Sequence, residues 1–255
     1  MIFAVVKKKK LILGFVAVVL LIASTILVSV TGAQAVFFGK SPKKLPIYYV
    51  KTQEKKVAIS FDCAWGTDYT DTLLSVMENQ KVKSTFFCVE FWVNKHPDYV
   101  KKIFDKGHEI GTHSATHPYM TKLSNDKIAL ELNSSCKAIQ DITGVRPTLF
   151  RAPYGDYNDR VLDVAKAQDL YVIQWDVDSL DWKDLSATEI TKRVVKRVKN
   201  GSIVLFHNQG LHTAEALPKI IEQLKEQGYT FYTIGEMIYK DNYVVNADGG
   251  QAQNS

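Results

Sequence analysis

The sequence predicts a single α/β barrel of about seven strand–helix units within residues 55–240. Short apolar runs of five to seven residues alternate with longer amphipathic stretches over this region. Capping residues and glycines stand between the two kinds of segment. Strands that alternate with helices in this way pair in parallel and are joined by right-handed crossovers, so a barrel follows.

The elements are predicted from the period of the apolar residues and from the residues that end each run. The predicted strands are residues 57–62, 84–89, 109–113, 148–152, 171–177, 203–207 and 230–234. The predicted helices are residues 68–81, 97–106, 124–143, 158–168, 186–199 and 213–227. Ser124 and Ser186 are suited to cap two of the helices, and Gly144 is suited to end one.

The ends of the chain differ in composition from this body. Residues 1–10 are basic, and residues 11–30 form an uncharged apolar run about as long as a bilayer-spanning helix. We therefore expect a transmembrane anchor with residues 1–10 in the cytoplasm and the rest outside, or a signal peptide cleaved near the Ala-Gln-Ala at residues 33–35. Residues 31–54 are predicted to be a linker, and residues 241–255 a disordered polar tail.

Charge and composition exclude some classes of protein. The chain is 46% hydrophobic and 11% aromatic, which is ample for a packed core. The first 44 residues hold seven lysines and no acid, so the formal net charge of +5 leaves −2 for the body. A body with this balance has no basic footprint for nucleic acid. The three cysteines, at irregular spacing, do not make a disulfide framework.

Two imidazoles suggest a metal site. His113 and His117 are four residues apart, a spacing that in a helical turn places both rings on one face, within reach of one cation. The alternative is a pair of ordinary surface or core histidines. The apolar run that ends at His113 and the proline after His117 favour the metal site.

Acids, imidazoles and one arginine follow the predicted strands, at the end of a barrel where active sites lie. This set suits metal-assisted hydrolysis, in which a carboxylate takes a proton from water and an imidazole protonates the leaving group. Asp62 is the natural base and His207 the natural acid. Arg151 would keep Asp62 ionised, and Asp181 would hold His207 protonated. Trp182 and Leu205 would form an apolar wall for a small group such as a methyl.

Five short motifs occur in order over residues 55–238. They are Ser60-Phe61-Asp62, His113-Ser114-x-x-His117, Arg151-x-Pro153-Tyr154-Gly155, Asp178-Ser179-x-Asp181-Trp182 and Leu205-x-His207. Together they resemble the polysaccharide deacetylases with a NodB homology domain, carbohydrate esterase family 4. The resemblance implies a distorted (β/α) barrel of the NodB type that removes acetyl groups from N-acetylated sugars with zinc or another divalent metal.

The resemblance also implies roles for individual residues. Asp62 matches the catalytic base, His207 the acid, Arg151 the residue that orients the base and Asp181 the partner of the acid. His113 and His117 match the metal ligands. Tyr154 matches the residue whose backbone amide helps to hold the oxyanion, and Trp182 and Leu205 match the acetyl pocket.

One position departs from the family pattern. The first motif usually has two successive aspartates, the second of which binds the metal, and here the second is Cys63. The segment Phe-Asp-Cys-Ala-Trp-Gly looks most like the PdaB-type sporulation deacetylases. Cys63 can ligate zinc as a thiolate, or it can be an inert buried thiol while water or Asp68 completes the metal shell. As a third outcome, the site holds no metal and the protein only binds glycan.

The expected function is deacetylation of amino sugars in a cell-wall polysaccharide, peptidoglycan in particular, outside the cell membrane and in sporulation. The expected partners are the glycan substrate and, through the N-terminal helix, the membrane, with no nucleic acid. Two alternatives stay open. One is a wall-binding protein that keeps the barrel without catalysis, and the other is an O-acetyl esterase with the same machinery.

Overall fold

Parallel strands with helices packed around them make up the computed structural model, which describes residues 43–254. The strands are β1 (Tyr49–Val50), β2 (Lys56–Cys63), β3 (Thr85–Cys88), β4 (Glu109–Thr112), β5 (Leu149–Phe150), β6 (Tyr171–Val172), β7 (Val177–Asp178), β8 (Ser202–His207), β9 (Thr230–Phe231), β10 (Tyr243–Val245) and β11 (Gly250–Gln253). The helices are α1 (Thr70–Asn79), α2 (Glu90–Lys95), α3 (Pro97–Asp105), α4 (Asn125–Thr143), α5 (Asp159–Lys166), α6 (Ala187–Arg197), α7 (Thr213–Glu226) and α8 (Ile234–Met237).

The sheet runs in the order β10-β11-β1-β8-β2-β3-β4-β5-β6, with β7 beside β8 and β9 beside β2. All pairs from β8 through β2 to β6 are parallel, which confirms the predicted α/β architecture. The described residues contain eleven strands rather than about seven. One predicted strand, residues 171–177, is divided into β6 and β7. At the break, the backbone N–H of Gln174 donates to Ile47 and its carbonyl accepts from Arg151.

The segment predicted to be a linker begins the folded domain. Ile47 pairs in parallel with Ile173, directly after β6, and Tyr49 of β1 pairs antiparallel with Ser202 of β8. Residues 47–50 thus pair with chain on both sides, beside β6 and beside β8. Sequence analysis missed them because so short a run carries no periodic signal.

The prediction of a disordered tail from residue 241 is wrong for the described residues. β10 and β11 form an antiparallel hairpin, and β11 also pairs in parallel with β1. The turn between them contains Gly249 in a left-handed conformation with φ +79°. Polar strands such as Gly250–Gln253 are stabilised by pairing with distant chain, which local composition does not show.

The long helices lie close to their predicted places. Ser124 caps α4 by accepting a hydrogen bond from the backbone of Lys127, and Gly144 ends the helix with φ +76°. Ser186 and Glu189 form a capping box at the start of α6. The short α2 was not predicted.

Two apolar layers hold the sheet. Alternate residues of β2, among them Val57, Ile59, Phe61 and Cys63, pack against the helices. The residues between them face the other way, into the barrel, where Ala58 packs in a second cluster. This alternation decides which side chains at the end of β2 can reach the site.

The predicted transmembrane segment, residues 11–30, and the basic segment before it lie outside the described residues. Among residues 43–254, no helix has both the length and the apolar character needed to cross a bilayer.

Candidate active site

Asp62 lies near the carboxyl end of β2 and is held by Arg151. The two side chains are buried, and Arg151 Nη1 donates to Asp62 Oδ1 at 2.8 Å. Burial acts to raise the pKa of Asp62, but the charge of Arg151, aided by His113 and His207, outweighs it and the pKa lies below its usual value. Asp62 is therefore ionised at neutral pH, as a base must be.

Arg151 is fixed by groups that sequence analysis did not assign. Its Nη2 donates to Ser60 Oγ at 2.9 Å and to the carbonyl of Gln174 at 3.2 Å. The guanidinium carbon lies 4.1 Å from the centre of the Phe87 ring. Ser60 is two residues before Asp62 and so faces the same side of β2, a signal that was present in the sequence.

His207 ends β8 and is held by Asp181. The His207 ring donates from Nδ1 to Asp181 Oδ1 at 2.8 Å, and its backbone N–H donates to Oδ2 at 2.8 Å. Thr213, which sequence analysis did not assign, donates from its hydroxyl to the same Oδ2 at 2.6 Å. Burial acts to lower the pKa of His207, but the hydrogen bond to Asp181 and the charge of Asp181 together raise the pKa by more. The net pKa therefore lies above its usual value.

The predicted base and the predicted acid are direct neighbours. Asp62 and His207 are register partners on adjacent parallel strands. Strands in a sheet are about 5 Å apart and paired residues project to the same face. An ionised carboxylate and an imidazole that favours its protonated form thus flank one point at the mouth of the barrel.

His113 and His117 come together beside this pair, in a loop rather than in a helical turn. β4 ends at Thr112, and Ser114 and His117 adopt left-handed backbone conformations with φ 71° and 58°. The two ring centres are 4.9 Å apart. Positive φ at two non-glycine residues is strained, and such strain collects at functional sites.

The imidazoles carry free lone pairs. His113 Nδ1 donates to the carbonyl of Arg151 at 2.7 Å, so its Nε2 is the acceptor. Burial lowers the pKa of His113 and lowers that of His117 to about 4, so both rings are neutral at neutral pH. Nδ1 of His117 is buried without a hydrogen-bond partner.

These features suit His113 and His117 as two ligands of one divalent ion. His113 Nε2 faces Asp62 Oδ2 at 3.5 Å, and two acceptors at this distance repel unless a proton or a cation lies between them. His113 and His117 therefore suit an ion beside Asp62. Across residues 43–254, however, no group of three or more His, Cys, Asp or Glu side chains is arranged to hold a metal.

Cys63 is not brought to the imidazoles. Its side chain is fully buried in the apolar layer under the helices, next to its register partner Cys88 on β3. Burial raises the pKa of the Cys63 thiol well above its usual range, and Cys88 adds to the effect. The structure thus places Cys63 as a buried thiol rather than as the ligand of the predicted set. Asp68, the alternative ligand, instead accepts a hydrogen bond from Gln209.

The remaining predicted residues lie around the same mouth. Tyr154 is 59% exposed, has φ 59°, and its ring meets His117 at 4.6 Å between centres. Trp182 is 55% exposed in the turn that carries Asp181. Leu205 is buried two residues before His207, on the same face of β8. Another exposed tryptophan, Trp65, contacts His117 from the loop after β2, and sequence analysis gave it no role.

Comparison with known proteins gives a family for this geometry. The family model for polysaccharide deacetylase matches residues 49–173. A peptidoglycan-N-acetylglucosamine deacetylase of Bacillus cereus is 36% identical over 194 residues, which cover 74% of this chain and 91% of that protein. The chain belongs to the polysaccharide deacetylase family, carbohydrate esterase family 4. The expectation drawn from the five motifs is thereby confirmed.

Other members of the family differ in what is said of them. The uncharacterised protein YlxY of Bacillus subtilis is 34% identical over 76% of this chain, which spans 60% of the length of that relative. A crystal structure of a family 4 pseudoenzyme from Bacillus anthracis is 35% identical, with a TM-score of 0.74 over 77% of this chain and 69% of its own. A mutant of that pseudoenzyme is described as having restored enzymatic activity. Membership therefore does not by itself make a chain catalytic.

Proposed function

We propose that this polysaccharide deacetylase is a hydrolase that removes acetyl groups from N-acetylated amino sugars of peptidoglycan. The observation that carries the proposal is the pairing of Asp62 with His207 across β2 and β8, each with its own buried partner. An ionised base next to an imidazole that favours its protonated form is the combination that amide hydrolysis needs. The names of the family relatives support peptidoglycan as the substrate.

In the proposed reaction, Asp62 accepts a proton from a water molecule as the oxygen of that water bonds to the acetyl carbon. His207 gives its Nε2 proton to the sugar nitrogen as the carbon–nitrogen bond breaks, which leaves acetate and a free amine. Arg151 keeps the carboxylate charged and in place, and Asp181 does the same for the imidazolium. Trp182 and Leu205 would form the apolar wall against which the acetyl methyl lies.

We include metal dependence in the proposal. His113 and His117 would hold the ion, and zinc suits a site with neutral imidazole ligands. When bound, such an ion supplies Lewis acidity that polarises a carbonyl oxygen and activates water. With Cys63 in the core, the other ligands would come from water or substrate.

We also propose that the enzyme acts outside the cell membrane. The uncharged apolar run at residues 11–30, with Lys7–Lys10 before it, supports a membrane anchor or a secretion signal. A role in sporulation is supported by the resemblance of the Phe-Asp-Cys-Ala-Trp-Gly segment to the PdaB-type sporulation deacetylases.

The test is release of acetate by the full-length protein from oligomers of N-acetylglucosamine and from peptidoglycan, with and without added zinc. Asp62→Asn and His207→Ala are expected to lower the rate by about 10²–10⁴-fold. Asp71→Asn is the matched control, because this exposed carboxylate pairs with Lys102 on the outer surface. Full activity in both active-site variants would refute the assignment.

A second candidate is a glycan-binding protein without turnover. Cys63 in the core and the likeness to a pseudoenzyme favour it. It predicts that wild-type protein binds the same oligomers but releases no acetate at any zinc concentration.

A further inference from the structure

The loop that carries the two imidazoles, residues 113–117, is held by one carboxylate of α4. We call it the imidazole loop. The backbone N–H groups of Ala115 and Thr116 donate to Oε2 of Glu131 at 2.9 Å and 2.8 Å. The hydroxyl group of Thr116 donates to Oε1 of the same carboxylate at 2.7 Å. Glu131 therefore accepts three hydrogen bonds from the two central residues of the loop, midway between His113 and His117.

A second side chain of α4 supports the start of the imidazole loop. The hydroxyl group of Thr112 donates to Ser135 Oγ at 2.6 Å and accepts a hydrogen bond from the backbone N–H of Ser114 at 3.2 Å. Glu131 and Ser135 are four residues apart and so lie on one face of the helix, one turn from each other. The loop is thus attached to α4 over a full helical turn.

The imidazole loop needs such support because its own backbone is strained. Ser114 and His117 have positive φ, and the loop belongs to neither a helix nor a strand. The backbone N–H of His117 donates to Ser114 Oγ at 3.1 Å, but this bond lies within the loop and does not attach it to the body.

The two imidazoles depend on this backbone to different degrees. The ring of His113 is fixed at Nδ1 by the carbonyl of Arg151, whereas Nδ1 of His117 is without a partner among the described residues. The place of the His117 ring therefore follows from the conformation of the loop. A loop that relaxed to ordinary backbone angles would lose the 4.9 Å spacing between the two ring centres.

We propose that Glu131 is a positioning residue that holds the imidazole loop in the conformation that gathers His113 and His117 before an ion binds. Both of its carboxylate oxygens are engaged by the loop, so it acts through His117 and is not a third ligand. A loop that is already ordered loses less conformational freedom when a ligand binds, and the affinity is higher for that reason. The proposal rests on the metal dependence included in the proposed function, and it adds a residue outside the five motifs.

The first test measures the affinity of the full-length protein for zinc by competition with a chelator. Glu131→Ala should weaken zinc binding about tenfold. Glu131→Gln should stay within about threefold of the wild type, because its amide oxygen can accept from the two backbone N–H groups and its amide nitrogen can donate to the Thr116 hydroxyl group. Asp141→Ala is the matched control on the same helix, because this exposed carboxylate pairs with Lys137 on the surface.

The second test measures amide hydrogen exchange in the metal-free protein. In Glu131→Ala, the amides of Ala115 and Thr116 should exchange about tenfold faster than in the wild type, because their acceptor is gone. The amides in the middle of α4 should keep their wild-type rates. This pattern separates a loosened loop from a general loss of stability.

Two results would contradict the positioning role. The first is that Glu131→Ala binds zinc as tightly as the wild type, or binds it more weakly with no change in the exchange of Ala115 and Thr116. The second is that Glu131→Gln loses as much affinity as Glu131→Ala, which would mean that the negative charge matters and not the acceptors.

The remaining outcomes are decided by a milder variant and by the exchange rates. If Glu131→Ala does not fold, Thr116→Val takes its place, because it removes only the hydroxyl bond of an exposed residue. Zinc binding about two- to threefold weaker in Thr116→Val supports the proposal, and wild-type zinc binding contradicts it. If the wild type binds no zinc, the metal dependence fails and the exchange rates decide: faster exchange in Glu131→Ala supports the hold on the loop, and unchanged exchange refutes it. Acetate release by the wild type tests the deacetylase assignment separately.

Discussion

The candidate active site has two halves, and they differ in how many of their side chains have fixed partners. In the acid–base half, Asp62 and His207 each have a buried partner of opposite charge, and each partner is fixed by further hydrogen bonds. In the metal half, His113 and His117 lie together with free lone pairs, but the residue at the third position of the family pattern, Cys63, is elsewhere. The acid–base half keeps each residue of its motifs, whereas the metal half keeps the two imidazoles and departs at Cys63.

The pleat of β2 accounts for the difference. Asp62 and Cys63 are consecutive and therefore face opposite sides of the strand. A carboxylate under the helices would need a polar partner, because burial of an unpaired charge is costly. A thiol has no such need and packs as a small apolar group beside Cys88. A cysteine at this position is thus compatible with a stable core and with a metal site that has only two protein ligands.

The largest effect is expected from Arg151→Met, which breaks the acid–base half. It leaves the Asp62 carboxylate buried without its donor and should lower the free energy of unfolding by about 3–5 kcal/mol. Acetate release should be lost as well. Denaturant unfolding measures the first effect, and Arg146→Met on the surface should change the free energy of unfolding by less than about 0.5 kcal/mol.

A double variant separates charge from packing. Asp62→Asn combined with Arg151→Met should regain part of the stability, since no buried carboxylate is left unpaired, but none of the activity. Equal unfolding midpoints for Arg151→Met and wild type would show that Asp62 does not depend on this partner.

The next effect concerns the pH dependence of the rate and tests whether Asp181 raises the pKa of the proposed acid, His207. His207 acts while protonated, and its pKa is raised, so the rate should fall as the pH rises through a value above 6.5. In Asp181→Asn the opposing effect of burial prevails, and the alkaline limb should move down by about 1–3 pH units. The rate at pH 7 falls accordingly. Asp184→Asn, an exposed position in the next turn, should leave the limb in place. An unshifted limb in Asp181→Asn would assign it to another group.

The sequence predicts most of the acid–base half of the site, and it predicts less of the metal half and of the outer strands. Asp62, Arg151, Asp181 and His207 each stand next to a strand with a clear apolar period, so parallel pairing alone brings them to one end of the barrel. The strand period also predicts the inward direction of Asp62, and it places Cys63 on the opposite face, in line with the buried-thiol alternative for that residue. β1 and β11 were missed because pairing between residues about 200 positions apart leaves no local pattern, and β10 pairs with β11.

His108 is a buried imidazole with a structural partner. Its Nδ1 accepts a hydrogen bond from the backbone of Ser84 at 3.2 Å, whereas Nδ1 of His117 has no partner. Burial, with Lys83 and Lys106, lowers the pKa of His108 to about 4. The two imidazoles thus share a low pKa but not a role, which separates a structural histidine from a candidate ligand.

His108→Asn tests that separation through stability in acid. Because the folded pKa lies below the unfolded value of about 6.5, the stabilising contribution is complete above pH 6.5 and is lost as the pH falls toward 4. The side-chain amide oxygen introduced by this substitution would keep an acceptor for the backbone of Ser84 without titrating. Between pH 6.5 and 4, the free energy of unfolding of the variant should therefore fall by about 2–3 kcal/mol less than that of the wild type. An identical slope in His108→Asn would mean that this ring is not responsible.

The smallest expected effect sharpens the comparison most, because it asks whether the metal half has two ligands or three. His117→Ala should weaken zinc binding by about tenfold or more, since it removes one of the two imidazoles. Cys63→Ser should leave zinc affinity within about twofold, because the thiol lies in the apolar core, away from the imidazoles. Competition with a chelator measures both variants, and Cys136→Ser is the control for a second buried thiol.

If Cys63→Ser loses zinc as His117→Ala does, the thiol must turn out of the core when the metal binds, and the two halves are equally complete in the loaded protein. If both variants bind zinc as wild type does, the imidazole pair is not the metal site, and the repulsion between His113 Nε2 and Asp62 Oδ2 is relieved by a proton instead.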